Sequence, residues 1–323
     1  MAMGRVLVGT CSWSDRSLVE SGWYPREAST PASRLHHYAQ NFETVEVDST
    51  FYALPQETTV FRWALRTPPN FIFNIKAYGL FTFHKIAYGS LPLWLRKELP
   101  ARLKKDDKIA RQAIPFSLRR TLWKQFINLI TPLHQMKRLG YLLFQLPPWL
   151  GYSSSSINYL KHVASMAPPF KIAVEVRNGS WLREGRKSFE SLLKDGNMAY
   201  VMVDEPQLSW TVPPEMFLTA AWGGVVRFHG RNKSAWEQKG ASVQDRFRYR
   251  YKEEELLQWK DSLLCLKDHV PSLFIMFNNC YRNFAVSNAL QMQKLFEIAP
   301  PKEGLFQKTL NFEGEKCRSR EKI

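Results

Sequence analysis

The chain has 323 residues, 45% of them apolar and 14% aromatic, with 45 Lys and Arg against 29 Asp and Glu. That composition supplies a large buried core and excludes general disorder, while no apolar run approaches the roughly 20 residues of a membrane-spanning helix. The formal charge of +16 attracts phosphates and other polyanions but carries no information about fold.

The opening residues Met1 to Arg5 lead straight into Val6-Leu7-Val8 without the n-region, h-region and cleavage site of a signal peptide, so a cytoplasmic protein is expected. The four cysteines, Cys11, Cys265, Cys280 and Cys317, are far apart and form no CxxC pair. Neither a disulfide framework nor a structural zinc site is expected from such spacing.

Eight short runs rich in β-branched and aromatic residues follow one another at 6–11, 44–50, 71–76, 141–146, 171–177, 199–204, 225–229 and 273–278. Most are apolar on both faces or on one, as strands covered by helices are. Helical patterns fall between them at 31–41, 58–66, 119–137, 157–167, 186–194, 253–267 and 283–298. Thr30 is the expected N-cap of the first, with Pro31 at its first position. Eight strand–helix alternations predict an α/β fold, a single (β/α)8 TIM-type barrel over 1–299. An open doubly wound sheet is the alternative, weakened because no GxGxxG or P-loop follows the first strand.

Residues 85–118 break the rhythm with Pro92, Pro100, Pro115 and the run Arg102 to Lys108. The stretch reads as a basic insertion between strands three and four, on the C-terminal face of the barrel: either a solvated surface excursion or a lid or arm facing nucleic acid. Between Lys85 and Arg138, thirteen Lys and Arg stand against Glu98, Asp106 and Asp107. Residues 300–323 are expected to be a polar, disordered tail.

Side chains two apart share a strand face. By that rule Glu46 and Asp48 oppose Val45 and Val47, Asn74 and Lys76 oppose Phe73 and Ile75, Glu175 and Arg177 oppose Val174 and Val176, and Arg227 and His229 oppose Val226 and Phe228. Gln145, Asp204 and Asn278 close otherwise apolar strands. An interior built only for stability is filled by Val, Ile and Leu. A balanced set of carboxylates and cations at the strand ends is better explained by function, with a salt-bridge network that fixes barrel register as the structural alternative.

At these residues the sequence also resembles the DUF72 (YecE-like) family: Gly9-Thr-Cys-Ser-Trp13, Trp23-Tyr-Pro25, Tyr38 to Tyr52, Phe144-Gln-Leu-Pro-Pro148, Ala173 to Trp181, Arg227-Phe-His-Gly-Arg231 and Phe277-Asn-Asn279. The resemblance spans about residues 6–290. It implies a TIM-type barrel and brings no assigned activity. It also implies Asn where this chain has Asp48, so the extra carboxylate changes the local charge balance.

Three functions fit these residues. The first is an enzyme using acid/base chemistry on a small anionic ligand that is phosphorylated, carboxylated or sugar-like. Glu175, Asp204, His229, Glu46 and Asp48 are then the catalytic candidates, and Lys76, His84, Gln145, Arg177, Arg227, Arg231, Asn278, Asn279, Trp13 and Tyr52 the binding candidates. The second is a nucleic-acid-binding or -processing barrel using the basic insertion and the rings of Trp13, Trp23, Phe51 and Tyr52. The third is a non-catalytic scaffold. No cofactor is expected; a divalent metal on Glu175, Asp204 and His229 is the weaker alternative, opposed by Arg177 and Arg227 on the same faces.

Overall fold

The computed structural model describes residues 4–100, 103, 108–238 and 240–301. Eight parallel strands carry the fold: β1 (Arg5–Thr10), β2 (Thr44–Val47), β3 (Ile72–Lys76), β6 (Leu139–Gln145), β7 (Ile172–Glu175), β8 (Ala199–Asp204), β9 (Gly224–Phe228) and β10 (Ser272–Phe277). They pair in the order β1-β10-β9-β8-β7-β6-β3-β2, which brings the last strand back beside the first. The result is a nearly closed barrel with flanking helices, and the open doubly wound alternative is set aside.

Closure is made at the β1–β2 seam. These two strands lie against each other without a ladder of their own. A Cβ on Gly9 would sit 2.3 Å from the Thr44 carbonyl oxygen, so only glycine permits this approach. One residue on, the hydroxyl of buried Tyr38 accepts from the Thr10 amide at 2.8 Å and donates to the Thr44 carbonyl at 3.1 Å. The tyrosine supplies the bridge that strand pairing does not.

Tyr38 sits on the helix Pro31–Asn41, whose Thr30 cap accepts from the Ser33 amide in a capping box. The helices Glu57–Leu65, Phe116–Gln135, Ser154–Met166, Arg186–Asp195, Glu253–Lys267 and Phe284–Leu295 fall where the sequence periodicity puts them, with shifted ends. Among the described residues no helix is long and apolar enough to cross a membrane.

Between β3 and the long helix Phe116–Gln135, the chain forms a short helix Leu93–Glu98 and a two-stranded antiparallel ribbon, β4 (Ile86–Ala87) on β5 (Lys108–Ile109). Leu91, Leu95, Leu99, Ile109 and Ile114 are buried in the main core. At these five positions the expectation of a solvated excursion does not hold, because apolar side chains spaced along the segment pack it down. The basic run 102–108, apart from Leu103 and Lys108, lies outside the described residues, as does the tail beyond residue 301.

Candidate functional site at the barrel mouth

Alternation along β2, β7 and β9 turns Glu46, Glu175 and Arg227 into the barrel, where all three are fully buried. The Arg227 guanidinium bridges the two carboxylates, one Nη donating to Glu46 Oε1 at 2.6 Å and the other to Glu175. Tyr141 donates its hydroxyl to Glu46 Oε2 at 3.1 Å, and Arg227 also reaches Cys11 Sγ at 3.4 Å. Glu175 Oε1 gathers Gln145 Nε2 at 2.6 Å, His229 Nε2 at 3.0 Å and Arg177 Nη1 at 3.3 Å. Asn278 Nδ2 lies 2.9 Å from His229 Nδ1.

The titrations follow from this packing. Burial pushes Glu175 upward, but Arg227, His229 and Arg177 outweigh it and hold the carboxyl well below its ordinary range. Burial drives His229 down to about 3 against the pull of Glu175, so the imidazole is neutral. An ionised Glu175 accepts only, so His229 Nε2 carries the proton and Nδ1 accepts from Asn278. Glu46 is pushed by burial up to about 7, with Arg227 opposing and Asp48 adding to the rise.

Above this floor opens a cavity of about 640 Å3. Asp48, Lys76, His84, Gln145, Arg177 and Asn278 bring polar groups to its wall, and Phe51, Tyr52, Trp149, Trp210, Trp236 and Phe247 bring rings. Asp48 and the residues past it leave the sheet at once, because Ser49–Tyr52 turns into a helix. One Asp48 oxygen lies 3.5 Å from Lys76 Nζ; the other is buried, 4.0 Å from Arg227, and has no hydrogen-bond partner. Lys76 Nζ sits 4.9 Å over the Phe51 ring. His84 packs against Phe51 and Trp149, with Nδ1 2.9 Å from Thr82 Oγ1, and burial with nearby Lys76 lowers it to about 4.

The carboxylate that the sequence reading missed is Glu205. It is buried, 2.9 Å from Arg177 Nε, and accepts from the Val212 amide at 3.0 Å. Burial pushes it up to about 7, against Arg177. On its other side Arg177 lies 4.8 Å over Trp236, which stacks on Trp210.

Several expected residues are not brought to this cavity. Asp204 faces the surrounding helices, accepting from Arg231, Tyr251 and Trp259 at 2.6–2.9 Å. Arg231 goes with it. The weaker alternative, convergence of Glu175, Asp204 and His229 on one metal, therefore does not occur, and among the described residues no group of three His, Cys, Asp or Glu is placed to hold a metal ion. Asn279 is buried and braces the loop at Tyr249 and the side chain of Asn288. Trp13 is buried edge-to-face on Trp63, and Trp23 packs on Tyr24, His37 and Tyr38. Neither ring reaches the mouth.

A family model described as "Protein of unknown function DUF72" matches residues 7–309. The chain belongs to the DUF72 family. It is 29% identical to the UPF0759 protein YunF of Bacillus subtilis over 298 residues, 91% of this chain and 95% of that one. A crystal structure of a DUF72 protein from Thermotoga maritima is similar with a TM-score of 0.71 and 30% identity, over 91% of this chain and 99% of that one. Another, from Enterococcus faecalis, is similar with a TM-score of 0.72 and 25% identity over 92% and 99%. The DUF72 barrel is thus the shared scaffold, and the chemistry at its mouth must be read from the residues themselves.

Proposed function

We propose that this DUF72 barrel is an enzyme whose mouth cavity takes a compact anionic, sugar-like molecule and moves a proton on it. The observation that carries the reading is Asp48. One of its oxygens is buried without a hydrogen-bond partner, 4.0 Å from Arg227, while the other lies beside Lys76 at the cavity wall. Buried polar atoms are seldom left unpaired, and a substrate hydroxyl would supply the missing donor. In this reading Asp48 is the proton acceptor, and Glu46 behind it, pushed to about 7, stores the proton near neutral pH. Lys76 and Arg177 hold the phosphate or carboxylate, Arg177 through Nη2, since Nε and Nη1 lie on Glu205 and Glu175, while Trp149, Trp210 and Tyr52 cover the sugar faces. Glu175, Arg227 and His229 lie beneath and position Arg177 and Gln145.

The test is a thermal-shift panel of sugar phosphates and sugar acids, followed by assays on whatever binds. At least one member should raise the Tm. Lys76→Met and Arg177→Gln should remove that shift, and Asp48→Asn should keep it while turnover is lost. A panel that shifts nothing, or shifts that survive both cation substitutions, would overturn the reading.

A second reading, single-stranded nucleic acid at the same mouth, is favoured by Trp149 and Tyr52, which are 68% and 56% exposed there on a chain of charge +16.

A further inference from the structure

A second hollow, of about 390 Å3, lies outside β6, against the helices Phe116–Gln135 and Ser154–Met166. It shares no lining residue with the mouth cavity. Alternation explains its floor: Gln145 points into the barrel, so Phe144 faces the helices, where Trp123 packs on it and Phe81 packs on Trp123.

The rim is unlike the floor. Arg111, Arg119, Arg120 and Lys124 all line the hollow. Among the described residues no carboxylate pairs with any of them. The Nε of Arg119 is buried and makes no hydrogen bond. Arg111 lies half-buried, 5.0 Å over the rings of both Phe83 and Tyr159. Burial lowers its pKa, Tyr159 opposes that, and the like charge of Arg119 lowers it further.

Two neighbouring guanidiniums partly drawn out of water, with no counter-charge among the described residues, cost free energy that a bound anion would recover. The apolar floor beside them asks for a hydrocarbon or aromatic body on the same molecule. We propose that this hollow is a binding site for an amphipathic carboxylate, its acyl or aryl chain on Phe116 and Trp123 and its head between Arg111 and Arg119. The site is independent of the reading given for the barrel mouth.

Titration calorimetry of the full chain with decanoate, kept below micelle formation, tests this directly, with decanol as the uncharged counterpart. Decanoate should bind one to one, at least about tenfold tighter than decanol, and Arg111→Gln and Arg119→Gln should each weaken it about tenfold, the scale of one charge-assisted hydrogen bond. Lys124→Gln, on an exposed turn of the helix, gives a smaller loss and serves if either arginine variant fails to fold. Lys76→Met, in the other cavity, should leave decanoate binding unchanged. The proposal is overturned if decanoate does not bind, if decanol binds as well, if all three rim variants bind normally, or if Lys76→Met abolishes binding.

Discussion

Glu46 and His229 are both enclosed in the barrel, and burial moves them in opposite directions along the pH scale. Glu46 keeps its proton up to about pH 7, whereas in an unfolded chain a glutamate loses it near pH 4.3. Between those values the native state holds the extra proton, so the contribution of Glu46 to stability falls as pH rises through the window. Measured as the Tm difference between Glu46→Gln and the parent chain, the variant should gain steadily from about pH 4.5 to 7 and level off above. A difference that stays flat across that range would contradict the assignment. His229 has the opposite sign: native about 3, unfolded about 6.5, so its contribution is lost as pH falls between them. Imidazole 15N spectra should show one neutral tautomer protonated at Nε2 from pH 8 down to about 5, and an imidazolium signal at pH 6 would contradict the network drawn around Glu175.

Residue-scale reading of the sequence succeeded where a strand mixes polar and apolar faces. Glu46, Glu175 and Arg227 have apolar neighbours on either side, so their inward phase is legible. β8, Ala199–Asp204, is apolar until its last residue, so its phase is not. Asp204 was therefore placed inward, and the inward carboxylate is its neighbour Glu205. Partners from outside the strand separate the two: Arg177, just past β7, for Glu205, and Arg231, Tyr251 and Trp259 for Asp204.

At the scale of elements, the seam between β1 and β2 depends on two side-chain positions rather than on a ladder. Tyr38→Phe leaves the Thr10 amide and the Thr44 carbonyl without their shared partner and should cost about 1–3 kcal/mol in urea unfolding. Gly9→Ala places a methyl against the Thr44 oxygen and should cost more, because a backbone carbonyl must move. If both variants melt like the parent, the seam is not what closes the barrel. The strands and long helices were legible from period and from the Thr30 cap. The short helical turns just past the strands were not. Ser49–Tyr52 and Ser180–Arg183 span four residues each, too short for a 3.6-residue period to register, and the first of them directs Asp48 into the cavity wall.

For the whole molecule, charge and cavity separate. The carboxylates and cations of the mouth largely pair with one another, while much of the +16 lies elsewhere, including the basic rim of the hollow outside β6. The nucleic-acid reading therefore makes a double demand. Binding of a single-stranded DNA probe should weaken steeply between about 50 and 200 mM salt, and Trp149→Ala should cost about 1–3 kcal/mol if bases stack at the mouth. Binding that depends on salt but ignores Trp149 would mark it as surface charge alone. The eight-unit pattern announced the barrel, but the contents of its mouth depend on residues on or just past all eight of its strands, which no local pattern ties together.

In the function proposed above, the mouth cavity holds a small ligand against Asp48. A crystal structure grown with the sugar phosphate or sugar acid giving the largest thermal shift tests it most directly. We predict ligand density at the strand ends, with a hydroxyl within hydrogen-bonding distance of Asp48 and the anionic group on Lys76 or Arg177. A ligand bound elsewhere on the molecule, with the mouth left unaltered, would contradict it.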